Sequence, residues 1–472
     1  MRSRLVNLLR IALFWFLVFA SSQVGAFPPE NLPRGQIVDK VACQADPRQT
    51  YALYLPSHYT PERKWPILYA FDAGARGRLP VERFKEAAER YGYILAGSNN
   101  SRNGPPEPVI AAIRALFEDT QTRFSINENR VYLAGFSGGA RVAVSVAYSL
   151  KGLAAGVIGC GAGFPSEINP SPSLPFAYFG TVGFEDFNFS EMRKLDQTLD
   201  RLAVPHRIVM FKGSHDWPPP EVCGDAVEWM ELQAMKSGKR TRDETLIDEV
   251  LKKAVQKAQS DNSSKNAYEA FLGYKALEAD FKGLRDVTAF NSERARLENS
   301  KEVRRSLRSE QEQEDRQNEL GSKLYALKER YQSGGNSSSV RQELKNEIAD
   351  LKRTAARKED TPDRLVARRV LSLMTVQLNQ EGMQFFQARN YSLAAFNFSL
   401  AAQISPENPR VLYHLACAYS QDGKKKDAIE ALQNAVEKGF KDVLALETDP
   451  DLEPIRKEPA FQGLVEKLKK EG

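Results

Sequence analysis

The sequence predicts an α/β domain built on a mostly parallel sheet, followed by an all-α region that ends in repeats. Three observations carry this. Short apolar runs alternate with helical patterns from residue 36 to 235, the composition then turns highly charged, and from residue 375 a pattern of large and small residues recurs at an offset of 34. At 472 residues the chain exceeds one ordinary domain. Four segments follow: a leader at 1–26, the α/β domain at 27–235, a charged helical connector or set of helical hairpins at 236–374, and the repeat region at 375–472.

In the leader, Arg2, Arg4 and Arg10 precede the apolar run 11–20, and Val24-Gly25-Ala26 offers small residues for cleavage before Phe27, the pattern of an export signal. The uninterrupted run is shorter than the roughly 20 residues a membrane span requires, which argues against a retained anchor. No Cys follows it to carry a lipid. The expectation is an exported protein, periplasmic or extracellular, with no stable membrane span after cleavage.

Eight strands are expected in the α/β domain, as "IVDKVAC" (37–43), "YALYL" (51–55), "PILYAF" (66–71), "YILAG" (93–97), "RVYLAG" (130–135), "GLAAGVIGC" (152–160), "PFAYFG" (175–180) and "HRIVMFK" (206–212). Helical spacing lies between them at 80–91, 107–122, 139–150 and 190–202. Eight strands in these about two hundred residues leave no room for a lid domain. Past residue 235, breaks at "SDNSSKN" (260–266) and "SGGNSSS" (333–339) interrupt a Lys-, Arg-, Glu- and Gln-rich stretch. Tyr268, Phe271, Tyr274, Leu277, Phe281 and Leu284 recur at three- and four-residue spacing, an amphipathic helix; helical hairpins or a connector fit this better than a long coiled coil.

In the last segment Leu378, Gly382, Phe385, Ala394, Phe398 and Ala401 align with Leu412, Ala416, Tyr419, Ala428, Leu432 and Ala435, always 34 residues apart, and Pro406 closes the first unit. This resembles the tetratricopeptide repeat, in which large residues fill between two helices and small ones let them approach. The resemblance implies a protein partner for this region. Two units are fewer than a stable array requires, so the charged helices upstream and the tail after 440 are expected to cover the ends.

Composition narrows the chemistry. The formal charge is +5, and the leader holds three of the surplus arginines, leaving +2. With no basic tract interleaved with aromatics, nucleic acid is not an expected partner. The four cysteines Cys43, Cys160, Cys223 and Cys417 are too few for a disulfide scaffold. Cys160 and Cys223 both follow late strands and could form one bridge or remain buried thiols. His58, His206, His215 and His414 show no metal-ligand spacing, so no metal and no cofactor are expected.

"NRVYLAGFSGGARVAVSVAYSL" (129–150) holds the most informative chemistry. Gly135-Phe136-Ser137-Gly138-Gly139 is a five-residue pattern that a chain of this length carries by chance about one time in six. Its context is more specific: an apolar strand runs into the serine, and Val142, Val146 and Leu150 begin a helix directly after it. A nucleophile on such a turn needs glycines at the flanking positions and a helix whose N-terminal amides face the reacting oxygen. Gly138 can donate one such amide. A base oriented by a carboxylate must then follow along the chain. "TVGFEDFNFSEM" offers Glu185 and Asp186 after the seventh strand, and "GSHDWPPP" offers His215 after the eighth; His206 stands at the wrong end of its strand.

With "GFSGG", "FGTVGFEDFN" and "GSHDWP", residues 36–235 resemble the α/β-hydrolase superfamily, particularly small exported esterases similar to feruloyl esterases and polyhydroxyalkanoate depolymerases. The resemblance implies an α/β-hydrolase fold without a lid domain, Ser137 as nucleophile, Asp186 as orienting acid and His215 as base. A second oxyanion donor would come from "FDAGARG", at Ala73 or Gly74, where Asp72-Ala73 replaces the usual His-Gly. Trp217 and Phe136 are candidates to line the substrate pocket. The implied activity is hydrolysis of a carboxylic ester. Without a lid, the pocket favours polymer side groups or short acyl chains. The competing reading is a hydrolase-like scaffold that binds a partner through its repeats and performs no chemistry.

Overall fold

The computed structural model describes residues 32–333 and 338–471; the leader lies outside the described residues. Compact packing divides the chain into one unit ending at Glu310 and a second beginning at Gln311.

The first unit is organised by an eight-stranded sheet in the order β1-β2-β4-β3-β5-β6-β7-β8. In sequence these strands are β1 (Ile37–Ala42), β2 (Thr50–Tyr54), β3 (Trp65–Asp72), β4 (Ile94–Ser98), β5 (Ile126–Phe136), β6 (Ala154–Cys160), β7 (Ala177–Gly183) and β8 (His206–Phe211). β2 is antiparallel to both neighbours, and every pair from β4 through β8 is parallel. Parallel strands need crossovers, supplied by α1 (Arg78–Tyr91), α2 (Pro106–Arg123), α3 (Gly138–Ser149) and α4 (Phe189–Arg201), with α5 (Pro220–Lys236) following β8. Side chains alternate across the sheet. Leu53, Ile67, Tyr69, Phe71 and Leu133 join one core with α2, α3 and α4, while Ala52, Tyr54, Leu68, Ala70, Tyr132 and Ala134 join the other with α1 and α5. The result is an α/β-hydrolase-like sheet, and it brings the C-terminal ends of β3, β5, β7 and β8 to one edge.

α5 is an element that sequence periodicity does not reveal. Val222, Cys223, Ala226, Val227, Trp229, Met230, Leu232, Ala234 and Met235 are all buried, together with Glu228, Glu231 and Gln233, so no polar face marks it as a helix. The burial has a cause beyond residue 235. α6 (Glu244–Ser263), α7 (Ala267–Phe281) and α8 (Thr288–Glu298) continue the same unit, and Leu232 and Met235 share a core with Ile247, Phe271, Leu277, Phe281 and Leu297. The amphipathic residues Phe271, Tyr274, Leu277, Phe281 and Leu284 form the buried side of this arm. Asp280 of α7 is buried and accepts from Trp229 Nε1 at 2.6 Å and from Arg207 of β8 at 2.8 Å. The unit therefore divides from the next after Glu310, not at the composition change near Met235.

α9 (Lys301–Gln332) is divided between the two units. The second unit continues with α10 (Ser338–Ala355), α11 (Pro362–Gln387), α12 (Tyr391–Ile404), α13 (Pro409–Gln421), α14 (Lys425–Glu437), α15 (Val443–Thr448), a 3₁₀ turn (Pro450–Ile455) and α16 (Pro459–Glu471). α11 packs on α12, α12 on α13 and α13 on α14. Ala394, Ala401, Ala416, Ala428 and Ala435 are fully buried between helices, and a side chain on Gly382 would meet the Phe398 ring at 2.6 Å. Leu446, Leu452, Ile455 and Phe461 bury one end of the stack, and Leu324, Leu344 and Ile348 share a core with α11 and α12. None of the helices among the described residues is long and apolar enough to cross a membrane.

Candidate active site

β5 ends at Phe136 and α3 begins at Gly138, so a single residue, Ser137, makes the turn. Its backbone sits at φ 56° and ψ −119°, a conformation non-glycine residues rarely adopt. The turn closes because its neighbours lack side chains. A methyl at Gly135 would lie 2.0 Å from the Gly139 carbonyl oxygen, and one at Gly139 would lie 2.0 Å from that of Phe71. The Ser137 N–H donates to the Cys160 carbonyl at 2.8 Å, fixing the turn to β6.

His215 lies in the loop after β8, and its Nε2 is 2.9 Å from Ser137 Oγ. Its Nδ1 is 2.9 Å from both carboxylate oxygens of Asp186, which follows β7 and is fully buried. The two loops approach through Gly183, where a methyl would run into the Gly213 and Ser214 carbonyls at 2.4 and 2.5 Å. Glu185, beside Asp186, contributes its backbone N–H to the Gly213 carbonyl. Of the other histidines, His206 bonds Asp196 and the Val204 carbonyl, and His414 belongs to the second unit.

The imidazole is enclosed by Phe136, 4.6 Å away between ring centres, and by Phe187 at 4.2 Å. Asn188 donates its backbone N–H to Asp186 Oδ1 at 2.8 Å and its carboxamide to the Gly161 carbonyl at 2.7 Å. Phe187 and Asn188 escaped the sequence reading. An Asp-x-Asn turn was legible at 186–188, but its role depends on a histidine 29 residues further on. Asn103 had no signal at all. Its carboxamide lies across Gly138, where a methyl would meet it at 1.8 Å, and its N–H donates to the Ala73 carbonyl at 2.9 Å.

Gly138 stands at the N-terminus of α3, where unpaired helix amides point outward. Of the two candidates after β3, the Gly74 N–H is engaged by Asp72 Oδ1 at 2.7 Å. Ala73 is the one whose amide Asp72 leaves alone. The Asp72 carboxyl is held below its usual range. Burial, the largest influence, works to raise it and is outweighed by hydrogen bonds from Arg76, the Trp217 indole and Gly74.

Trp217 corrects an expectation. It is only 2% exposed, donates Nε1–H to Asp72 Oδ2 at 2.8 Å and packs edge-on against Phe84, so it sits beneath the site and not in an open pocket wall. Phe136 is likewise buried, and it touches the histidine. Cys160 and Cys223 are free buried thiols; burial pushes Cys160 up to about 12 and raises Cys223 as well, so neither carries a thiolate near neutral pH.

No protein-family model matches the chain. A curated relative, a chloroplastic protein of Arabidopsis thaliana, is 33% identical over 92 residues, or 19% of this chain; the match spans 28% of that relative's length. Among solved structures, an S-formylglutathione hydrolase from Staphylococcus aureus aligns over 42% of this chain and 98% of its own, with 15% identity and a TM-score of 0.33. A ferulic acid esterase aligns over 41% and 96%, with 16% identity and a TM-score of 0.35. An esterase from Pyrobaculum calidifontis aligns over 49% and 93%, with 11% identity and a TM-score of 0.35.

Proposed function

We propose that the chain is an exported serine hydrolase that cleaves carboxylic esters. The observation that carries this is the hydrogen-bonded line from Asp186 through His215 to Ser137, each link 2.9 Å, ending on a serine in strained backbone. A buried carboxylate on Nδ1 keeps the proton there and leaves Nε2 free to take the serine proton. Ser137 Oγ then attacks the ester carbonyl, and His215 returns the proton to the departing alcohol. Water deacylates the serine by the same route. The amides of Gly138 and Ala73 stabilise the oxyanion. The enclosing Phe136 and Phe187 rings restrict the imidazole to the orientation this transfer needs. The close succession of strands and crossover helices, with no lid insertion among the described residues, fits short acyl chains or ester groups displayed on a polymer as substrates.

The paired helices of the second unit and their 34-residue offset support a tetratricopeptide-type module that binds a protein partner, and the leader supports export. N-terminal sequencing of secreted material should begin at Phe27; retention of the leader would refute that part. The activity is tested with a fluorophosphonate probe and p-nitrophenyl acetate. Labelling should map to Ser137, and turnover should vanish in Ser137→Ala. A folded wild-type chain that neither labels nor turns over would make it a non-catalytic scaffold acting through its repeats.

A further inference from the structure

Asp72 is a fully buried carboxylate on the last residue of β3, and it takes no part in the proton relay. Five donors converge on it. Oδ1 accepts from the Gly74 N–H at 2.7 Å, Arg76 Nε at 2.9 Å and the Arg76 backbone N–H at 3.4 Å; Oδ2 accepts from Arg76 Nη2 at 2.9 Å and Trp217 Nε1 at 2.8 Å. All but the indole belong to its own loop. The indole comes from 145 residues away, two positions after His215.

The bonds within the loop have a directional effect. The Asp72 carbonyl accepts from the Ala75 N–H at 3.0 Å, and Ala75 is held at φ 60° to allow it. That carbonyl shares a peptide plane with the Ala73 N–H, so fixing one aims the other. The next peptide is held at both ends, its carbonyl by Asn103 N–H and its N–H by Asp72. On the other side, Trp217 is wedged between Phe84 and Phe136, and Phe136 also packs on His215.

We propose that Asp72 is a positioning residue that joins the oxyanion loop to the histidine loop, so that the Ala73 amide and the His215 imidazole are set by one shared acceptor. This rests on the serine-hydrolase reading above. A carboxylate suits the task because it offers about four acceptor sites and no donor, whereas an amide in its place would turn an N–H toward either the indole or the Arg76 fork.

The test uses the full chain with p-nitrophenyl acetate and the variants Asp72→Asn, Trp217→Phe and the double variant. Trp217→Phe removes the indole N–H together with the five-membered ring of a buried side chain, so its melting temperature is measured alongside its kinetics; Asp72→Asn is isosteric and keeps the test decisive if Trp217→Phe does not fold. Each single variant should lower kcat at least about tenfold with KM changed less than about twofold, because the link positions transition-state groups. The double variant should fall no further than the worse single variant by more than about threefold, since both break one link. A second readout needs no turnover. Hydrogen exchange at the Trp217 indole, resolved by ¹⁵N NMR, should be at least about tenfold faster in Asp72→Ala, which removes both oxygens, than in wild type. A kcat for Trp217→Phe within about twofold of wild type, multiplicative losses in the double variant, or unchanged indole exchange would each overturn the proposal. Failure of wild type to label at Ser137 overturns the hydrolase reading instead, and the indole exchange still reports whether the link exists.

Discussion

The acid of the relay can be tested at a single atom. In Asp186→Asn the side chain keeps its shape but must place one oxygen and one NH₂ where two oxygens stood. The Asn188 N–H, 2.8 Å from Oδ1, requires an acceptor at that position, so the amide oxygen settles there and the NH₂ takes the place of Oδ2. Oδ2 is 2.9 Å from His215 Nδ1. Oδ1 lies equally close to Nδ1, but its replacement oxygen is committed to the Asn188 N–H, so the NH₂ at the Oδ2 position competes for Nδ1 and favours the tautomer with its proton on Nε2, opposite Ser137 Oγ. A histidine protonated there cannot act as base. The expected loss in kcat is about ten-thousandfold, or about 5.5 kcal/mol of barrier, with the fold intact. Glu185→Gln, one residue earlier, should lose less than about tenfold, roughly 1.4 kcal/mol, because the Glu185 segment is held through its backbone N–H. Steady-state kinetics of both variants on one activated ester, with melting temperatures as controls, decide the point. Retention of more than a tenth of wild-type kcat by Asp186→Asn, or a greater loss in Glu185→Gln, would refute the tautomer argument.

Gly161→Ala should lower both melting temperature and kcat, the latter at least about tenfold: Gly161 sits at φ 65°, and a methyl there lies 2.9 Å from the Phe136 ring, 3.2 Å from Asp186 Oδ2 and 3.3 Å from His215 Cε1. A wild-type melting profile and turnover in this variant would show that the site tolerates movement. His414 in the second unit is pushed down from 6.5 to about 4, chiefly by burial and then by Arg410, so the folded state prefers it neutral. Its contribution is present above pH 6.5 and is lost as pH falls toward 4, up to about 3 kcal/mol; urea midpoints should fall over that range more steeply in wild type than in His414→Asn. A chain ending at Met235 should aggregate or bind apolar dyes, because it strips Leu232 and Met235 of their packing and leaves the Trp229 indole and Arg207 without Asp280, whereas a chain ending at Glu310 should stay soluble. Equal solubility of the two would refute the role given to α6–α8.

Most strands were legible as apolar runs because the parallel part of the sheet is covered on both faces, as in β3, β4 and β6, whereas β1, an antiparallel edge strand with Asp39 and Lys40 exposed, was legible only from its shorter apolar stretches. Ser137, Asp186 and His215, which the structure brings within hydrogen-bonding distance, were legible for another reason: each stands in a short local pattern of glycines or turn residues at a strand end. What escaped was either buried all round, like α5, or defined by a partner far along the chain. Asp280 reads in sequence as a surface acid on a charged helix, and only Trp229 and Arg207 reveal it as part of the first unit's core. Trp217 was assigned to the pocket from its nearness to His215, but two residues along a loop are enough to turn a side chain into the core. Asp72 stood in the sequence as a departure from an expected His-Gly pair, and its five donors became visible only in three dimensions.

The backbone of Ser137 bears on how this chain can change over generations. A non-glycine residue in so sparsely populated a conformation costs the fold on the order of 1–3 kcal/mol, and glycine removes most of that cost. The stretch already carries glycines at 135, 138 and 139, so one more would disturb little. Selection for stability alone would therefore push this position toward glycine, and a lineage released from any need for the hydroxyl has a downhill route to lose it. Ser137→Gly should melt above wild type while ending ester turnover, which sets thermal robustness and chemistry against each other at a single residue.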